Sequence, residues 1–180
     1  FENVARLKPG SIEGPLNLAK TAIQDGNIDE AYKHLKKCED IEAGNARVAW
    51  VWGVVLQKEG QYEKAVLAYQ RVLEQFPDDR ATWRNLGRTL YLNQDYEEAL
   101  NTFDTVLEID PEDRIAYYHK MLCYQALGKV SEFQIAKAAY EFYQIDESAQ
   151  KVTRAFRLKN PGANLMSQPV RIHKLNLNKQ

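Results

Sequence analysis

Apolar residues of this 180-residue chain recur three and four positions apart over most of its length, the spacing of one face of an α-helix. The apolar stretches come in pairs. A short turn containing Gly26, Gly60, Gln94 or Gly128 splits each pair, and polar or proline-bearing breaks separate one pair from the next. Alternation at period two is confined to a short piece near the end, around Val170 and Ile172. The pattern predicts an all-α chain assembled from helix–turn–helix units.

Those units repeat. Shifting the sequence against itself by 34 positions aligns it without gaps over most of its length. A small residue recurs at Ala19, Gly53 and Gly87, each preceded by a bulky one, Leu18, Trp52 or Leu86. A second small column reads Ala31, Ala65, Ala99, and four residues on come Leu35, Tyr69 and Phe103. Pro77 and Pro111 close two units, with Ala43 in the equivalent place. Small columns let two helices approach closely, and the large residues fill the space against the next pair. One pair cannot bury its apolar face alone, so the pairs must stack. Gly53 and Gly87 are therefore expected where helices touch.

In length, layout and motif the units resemble the tetratricopeptide repeat, most closely over WGVVLQKEGQYEKAVLAYQRVLEQFP and WRNLGRTLYLNQDYEEALNTFDTVLEIDP. The resemblance implies a right-handed superhelical solenoid with repeats at 12–45, 46–79 and 80–113 and a divergent fourth at 114–146. In the fourth, Lys120 and Met121 occupy the bulky and small columns. Its second helix fits the pattern better after a slip of three residues, using Ala136, Tyr140 and Tyr143. Phe1, Val4, Leu7 and Pro9 reproduce the spacing of Phe103, Val106, Ile109 and Pro111. Residues 1–11 thus read as the end of a truncated preceding repeat, and the chain as a fragment of a longer protein. A C-terminal cap helix is expected over 147–160, with Ala149, Val152, Ala155 and Phe156 as its apolar stripe, followed by an extended tail over 161–180.

Composition narrows the function. The chain is 44% hydrophobic and 27% charged, with net charge −1, so it folds, and no basic surplus points to nucleic acid. No run is apolar for long enough to span a membrane. Cys38 and Cys123 stand far apart, which argues against a disulfide framework or a thiolate zinc site. His34, His119 and His173 are isolated, and Asp78–Asp79 and Asp110–Asp113 read as helix caps rather than calcium loops. No phosphate loop or nucleophile motif occurs. The expectation is a non-enzyme without cofactors.

In the repeat family the first helix of each pair lines a concave groove where ligands bind. The resemblance projects four columns inward: Leu16, Trp50, Arg84, Tyr118; Asn17, Val51, Asn85, His119; Lys20, Val54, Arg88, Leu122; and Ile23, Gln57, Tyr91, Gln125. Arg47 should join them. The candidate partner-binding residues are Lys20, Arg47, Trp50, Arg84, Asn85, Arg88, Tyr91, Tyr118 and His119. Every charged residue among them is a cation, so the groove should be positive although the chain is nearly neutral. Guanidinium groups bind carboxylates bidentately and aromatic rings supply contact area. The implied function is a protein–protein interaction scaffold, part of a larger protein, holding an acidic peptide with an apolar anchor. A structural or oligomerisation module without a peptide ligand, including a homo-oligomer formed through the tail, fits the same residues. Helical-repeat RNA binding is a minor third reading, disfavoured by the charge. The stretches YYHKMLCYQALG and IDESAQKVTRAFRLKNP also resemble the C-terminal region of bacterial repeat proteins that carry c-type haem segments upstream. That likeness would place the protein in the periplasm or outside the cell; otherwise the compartment is open.

Overall fold

A computed structural model describes residues 10–143. Over them the chain forms eight helices and no strand. They are α1 Glu13–Gln24, α2 Ile28–Ile41, α3 Ala46–Lys58, α4 Tyr62–Leu73, α5 Arg80–Leu92, α6 Tyr96–Ile109, α7 Arg114–Ala126 and α8 over 130–143. Of the described residues, 10–140 group as one compact unit. The expected cap helix and tail, and all but the last two residues of the expected truncated repeat, lie outside the described residues.

Several helix starts and stops have a visible local cause. The N-terminal amides of a helix lack intrahelical acceptors, and Asn or Asp side chains supply them. Asn45 accepts from Arg47 N at 2.8 Å, Asp79 from Ala81 N at 3.2 Å, and Asp113 from Ala116 N at 2.9 Å. These three caps open α3, α5 and α7 and sit one repeat apart. At the turn inside each unit, Gly26, Gly60, Gln94 and Gly128 take φ of 77°, 74°, 70° and 69°. The next amide then reaches back to close the helix: Asn27 N to Ala22 O at 2.8 Å, and Gln61, Asp95 and Lys129 N to Leu56, Leu90 and Tyr124 O at 2.9 Å. This is the left-handed helix stop that glycine adopts without strain. Gln94 adopts it despite its side chain.

The fourth unit differs from its expectation here. Its turn keeps the 34-residue register, and Phe133 N bonds Lys129 O as Ala99 N bonds Asp95 O. No slip of three occurs in the backbone. The divergence is in side chains: Phe133 stands in the small column, while the buried Ala136 aligns with Ala68 and Thr102.

Packing follows the columns. α1 packs on α2, α3 on α4 and α5 on α6, and each pair meets the next. Leu35, Tyr69 and Phe103 are fully buried, and burying side chains of this kind contributes about 1.5–3 kcal/mol each. A Cβ added to Gly53 would come within 2.5 Å of the Tyr69 ring, and one added to Gly87 within 2.8 Å of Phe103. Gly53 and Gly87 thus sit where helices touch, as expected, but each seats the large residue of its own pair rather than of the next. Polar links reinforce successive repeats. Gln57 Nε2 donates to Thr89 Oγ1 at 2.6 Å, and Lys129 Nζ meets Glu97 at 2.7 Å. The indole of Trp83 donates to Pro77 O at 2.6 Å, and the hydroxyl of Tyr117 to Pro111 O at 3.1 Å. One repeat apart, these two bonds pin equivalent inter-repeat turns.

Candidate functional site

The projected residues stand on α1, α3, α5 and α7, the first helices of the four pairs. Burial separates them into two neighbourhoods and removes some from the open face. Leu16 and Val51, both projected inward, are fully buried. Successive first helices press against one another, so part of each inward column becomes contact rather than groove.

The first neighbourhood centres on Trp50, half-buried on α3. Two cavities flank it. One, of about 350 Å³, is lined by Lys20, Ala46, Arg47, Val72, Phe76, Asp79 and Ala81 as well as Trp50. The other, of about 370 Å³, is lined by Lys20, Ile23, Gln24, Val51, Val54 and Lys58 with the same indole. Phe76 is 56% exposed, unusual for a side chain of that size in a folded stack. Arg47 forms a bidentate pair with Glu13, with Nη2 to Oε2 at 3.1 Å. The guanidinium beside Glu13 holds that carboxyl below its usual range. Lys58 donates to Ile23 O at 3.3 Å. Among the described residues neither Lys20 nor Lys58 has a carboxylate at ion-pair distance.

The second neighbourhood lies on α5 and α7. Arg84 pairs with Asp113, whose carboxylate is almost wholly buried and also approached by Arg80. Arg80 in turn pairs with Asp110. Arg84 is therefore committed to its own stack. Asn85 sits beside it, half-buried, and its carbonyl accepts from Thr89 Oγ1 at 2.7 Å. Arg88 is exposed. Tyr91 packs against Tyr96 at 5.6 Å between ring centroids. Tyr118, 40% exposed, meets Tyr140 at 5.6 Å and His119 at 5.4 Å. His119 lies nearly parallel to Phe103 at 5.2 Å, with Nδ1 buried and unpartnered. Burial, and then the nearby Arg88, pull its pKa down to about 4. This imidazole is a neutral packing ring.

The expected all-positive groove is thus patchy. The inward columns hold only cations, but carboxylates from helix starts and turns, Glu13, Asp110 and Asp113, reach across and neutralise several. The cavity residues Val72, Phe76 and Lys58 escaped the column projection. A signal for Phe76 was present: it occupies the turn position that is acidic in its neighbours, Glu42 and Asp110. Among the described residues no group of three or more His, Cys, Asp or Glu could hold a metal, and no helix is long and apolar enough to cross a membrane.

Comparison with known proteins agrees with this architecture. No curated protein matches the chain by sequence. Among solved structures it is similar to the crystal structure of MamA, with TM-score 0.70 and 20% identity, over 83% of this chain and 86% of that one. The MamA RS-1 ArsTM double mutant gives 0.72 and 16%, over 79% and 80%. A mutant of the Thermobaculum terrenum O-GlcNAc transferase gives 0.57 and 19%, over 63% of this chain and 22% of that one. At these identities the likeness is one of fold. Two tetratricopeptide-repeat family models match, one at residues 16–45 and the other at 56–123. With the recurring caps, turns and glycine seats, these matches identify the chain as a tetratricopeptide-repeat solenoid.

Proposed function

We propose that the chain is an interaction scaffold that holds an extended segment of a partner protein along its first helices. The observation that carries this reading is Trp50, a half-buried indole between two open apolar cavities whose rims bear Lys20 and Lys58. A solenoid that served only as a spacer would gain nothing from leaving such surface uncovered. Aromatic and cationic side chains in a concave setting are the usual anchors of protein partners. The complementary ligand is an acidic segment with an apolar side chain. Arg88, Tyr91 and Tyr118 extend the same face toward the fourth repeat and supply a second contact region. Arg47 and Arg84, each held by a carboxylate, shape the wall rather than reach for ligand. Affinity on the order of micromolar, about −8 kcal/mol, suits a groove of this kind.

The test is affinity capture from lysate of the source organism, comparing the chain with Trp50→Ala and with Lys20→Glu/Lys58→Glu. Proteins bound by the wild type should be lost from both variants, while circular dichroism stays unchanged. Equal recovery on all three baits would remove the groove from the function. A concentration-dependent mass in light scattering that neither variant alters would favour a structural or oligomerisation module.

A further inference from the structure

Successive inter-repeat junctions can be superposed residue by residue, 34 positions apart, and they are not alike. At the first, Ile12, Leu16 and Cys38 are buried, and Arg47 grips Glu13. At the third, Arg80 pairs with Asp110 and Arg84 with Asp113. At the second, those four positions hold Ala46, Trp50, Phe76 and Asp79. Neither ion pair has a counterpart there, because a methyl, an indole and a phenyl ring replace both guanidinium groups and one carboxylate. The remaining carboxylate, Asp79, is turned to its own helix start, accepting from Ala81 N at 3.2 Å and Thr82 Oγ1 at 2.7 Å. Where the third junction sets two ion pairs, this one leaves a cavity of about 350 Å³.

We propose that the second junction is an anchor pocket for one large apolar side chain from an acidic segment of a partner protein. The side chain enters between Trp50 and Phe76, and a flanking carboxylate reaches Lys20 and Lys58. This rests on the groove reading above and specifies its anchoring point and ligand chemistry. Size and charge select the occupant. At about 350 Å³ the cavity lies at the low end of the range for ligand pockets, about 300–1,000 Å³, with room for one large side chain. Its one acidic lining residue is used internally. Lys20 lines both cavities and Lys58 the second, so the free charge around the indole is positive.

The experiment titrates the isotope-labelled full chain with indole-3-acetate, with the neutral analogue tryptophol, and with acetate, following amide and indole N–H resonances. Indole-3-acetate should shift Trp50, Phe76 and Ala81 with millimolar affinity. Tryptophol should bind at the same place severalfold more weakly, and acetate alone should leave those signals unmoved. Ala81→Trp, at an exposed position on the rim, should fill the pocket and abolish the shifts without lowering Tm. Lys20→Ala/Lys58→Ala should erase the preference for the acid over the alcohol. Absence of shifts at Trp50, or unchanged binding to Ala81→Trp, overturns the anchor pocket. Micromolar affinity for free indole-3-acetate also overturns it, since the site would then take a small molecule rather than a protein side chain. A partner lost from the Lys20→Glu/Lys58→Glu bait but retained by Ala81→Trp would reject the pocket while leaving the groove reading intact.

Discussion

At Gly53 and Gly87 the distance from backbone to facing ring is shorter than any side chain tolerates. The ring is fully buried in both cases, Tyr69 in one and Phe103 in the other. It cannot withdraw without opening the core. Replacing either glycine with Leu should overpack the contact and cost about 1–3 kcal/mol, read as a lowered Tm; an unchanged Tm would show that the helices meet elsewhere. These contacts were legible in the sequence because a small and a large residue alternate at fixed spacing. His119 was less legible. Its column contains Val51, which is fully buried, beside Asn17 and Asn85, which are half-buried, so the column lies on the edge between groove and core. The imidazole falls on the core side of that edge. Its neutral form is favoured by burial and by Arg88, against a weaker opposing pull from Asp113. The unfolded chain takes up this proton near the ordinary value of 6.5, and the folded chain only near 4. Stability contributed by His119 is therefore complete above pH 6.5 and falls away as the pH drops toward 4. At about 1.4 kcal/mol per unit the loss reaches about 3 kcal/mol. Urea titrations at pH 7 and pH 4 should show a smaller difference for His119→Gln than for the wild type. An equal difference in both would place the acid sensitivity in other groups.

Helices in this stack are joined through their ends as much as through their faces. Asp113 caps α7 and also receives Arg84 and Arg80 from α5. Asp79 caps α5 but serves only its own helix. The two carboxylates occupy equivalent positions and should not be equivalent in energy. Asp79→Ala should cost about 1 kcal/mol, the worth of a cap. Asp113→Ala removes a cap and strands a half-buried guanidinium, so about 3 kcal/mol is expected. Chemical denaturation of both variants checks the ratio; similar costs would mean that Arg84 gains little from its partner. The capping role of these acids could be read from the sequence, since a cap bonds to residues two or three positions on. Their pairing with arginines could not. Arg84 and Asp113 lie 29 residues apart, in different columns of different repeats, and only the stacking of one repeat on the next brings them together.

For the chain as a whole, near-zero net charge conceals local separation among the described residues: carboxylates at helix starts and turns, lysines without a carboxylate at ion-pair distance around Trp50, aromatic rings toward the fourth repeat. The repeat period, helix order and core were accessible to sequence reasoning because each depends on residues within one or two units. The cavities were not, because a cavity is a failure of closure that shows only when one junction is set against its neighbours. One feature of the ends of the described stack has practical use. Cys38 lies in α2 and Cys123 in α7, both fully buried, and burial pushes each thiol up to about 11. They are the only two cysteines in the chain. Since alkylation needs an accessible thiolate, neither should react until its own part of the stack opens. The chain thus carries two built-in clocks, one in the first repeat and one in the fourth. Peptide mass spectrometry after timed iodoacetamide exposure would read them separately. Slow, unequal labelling would report which end frays first, whereas immediate labelling of either thiol would contradict its burial.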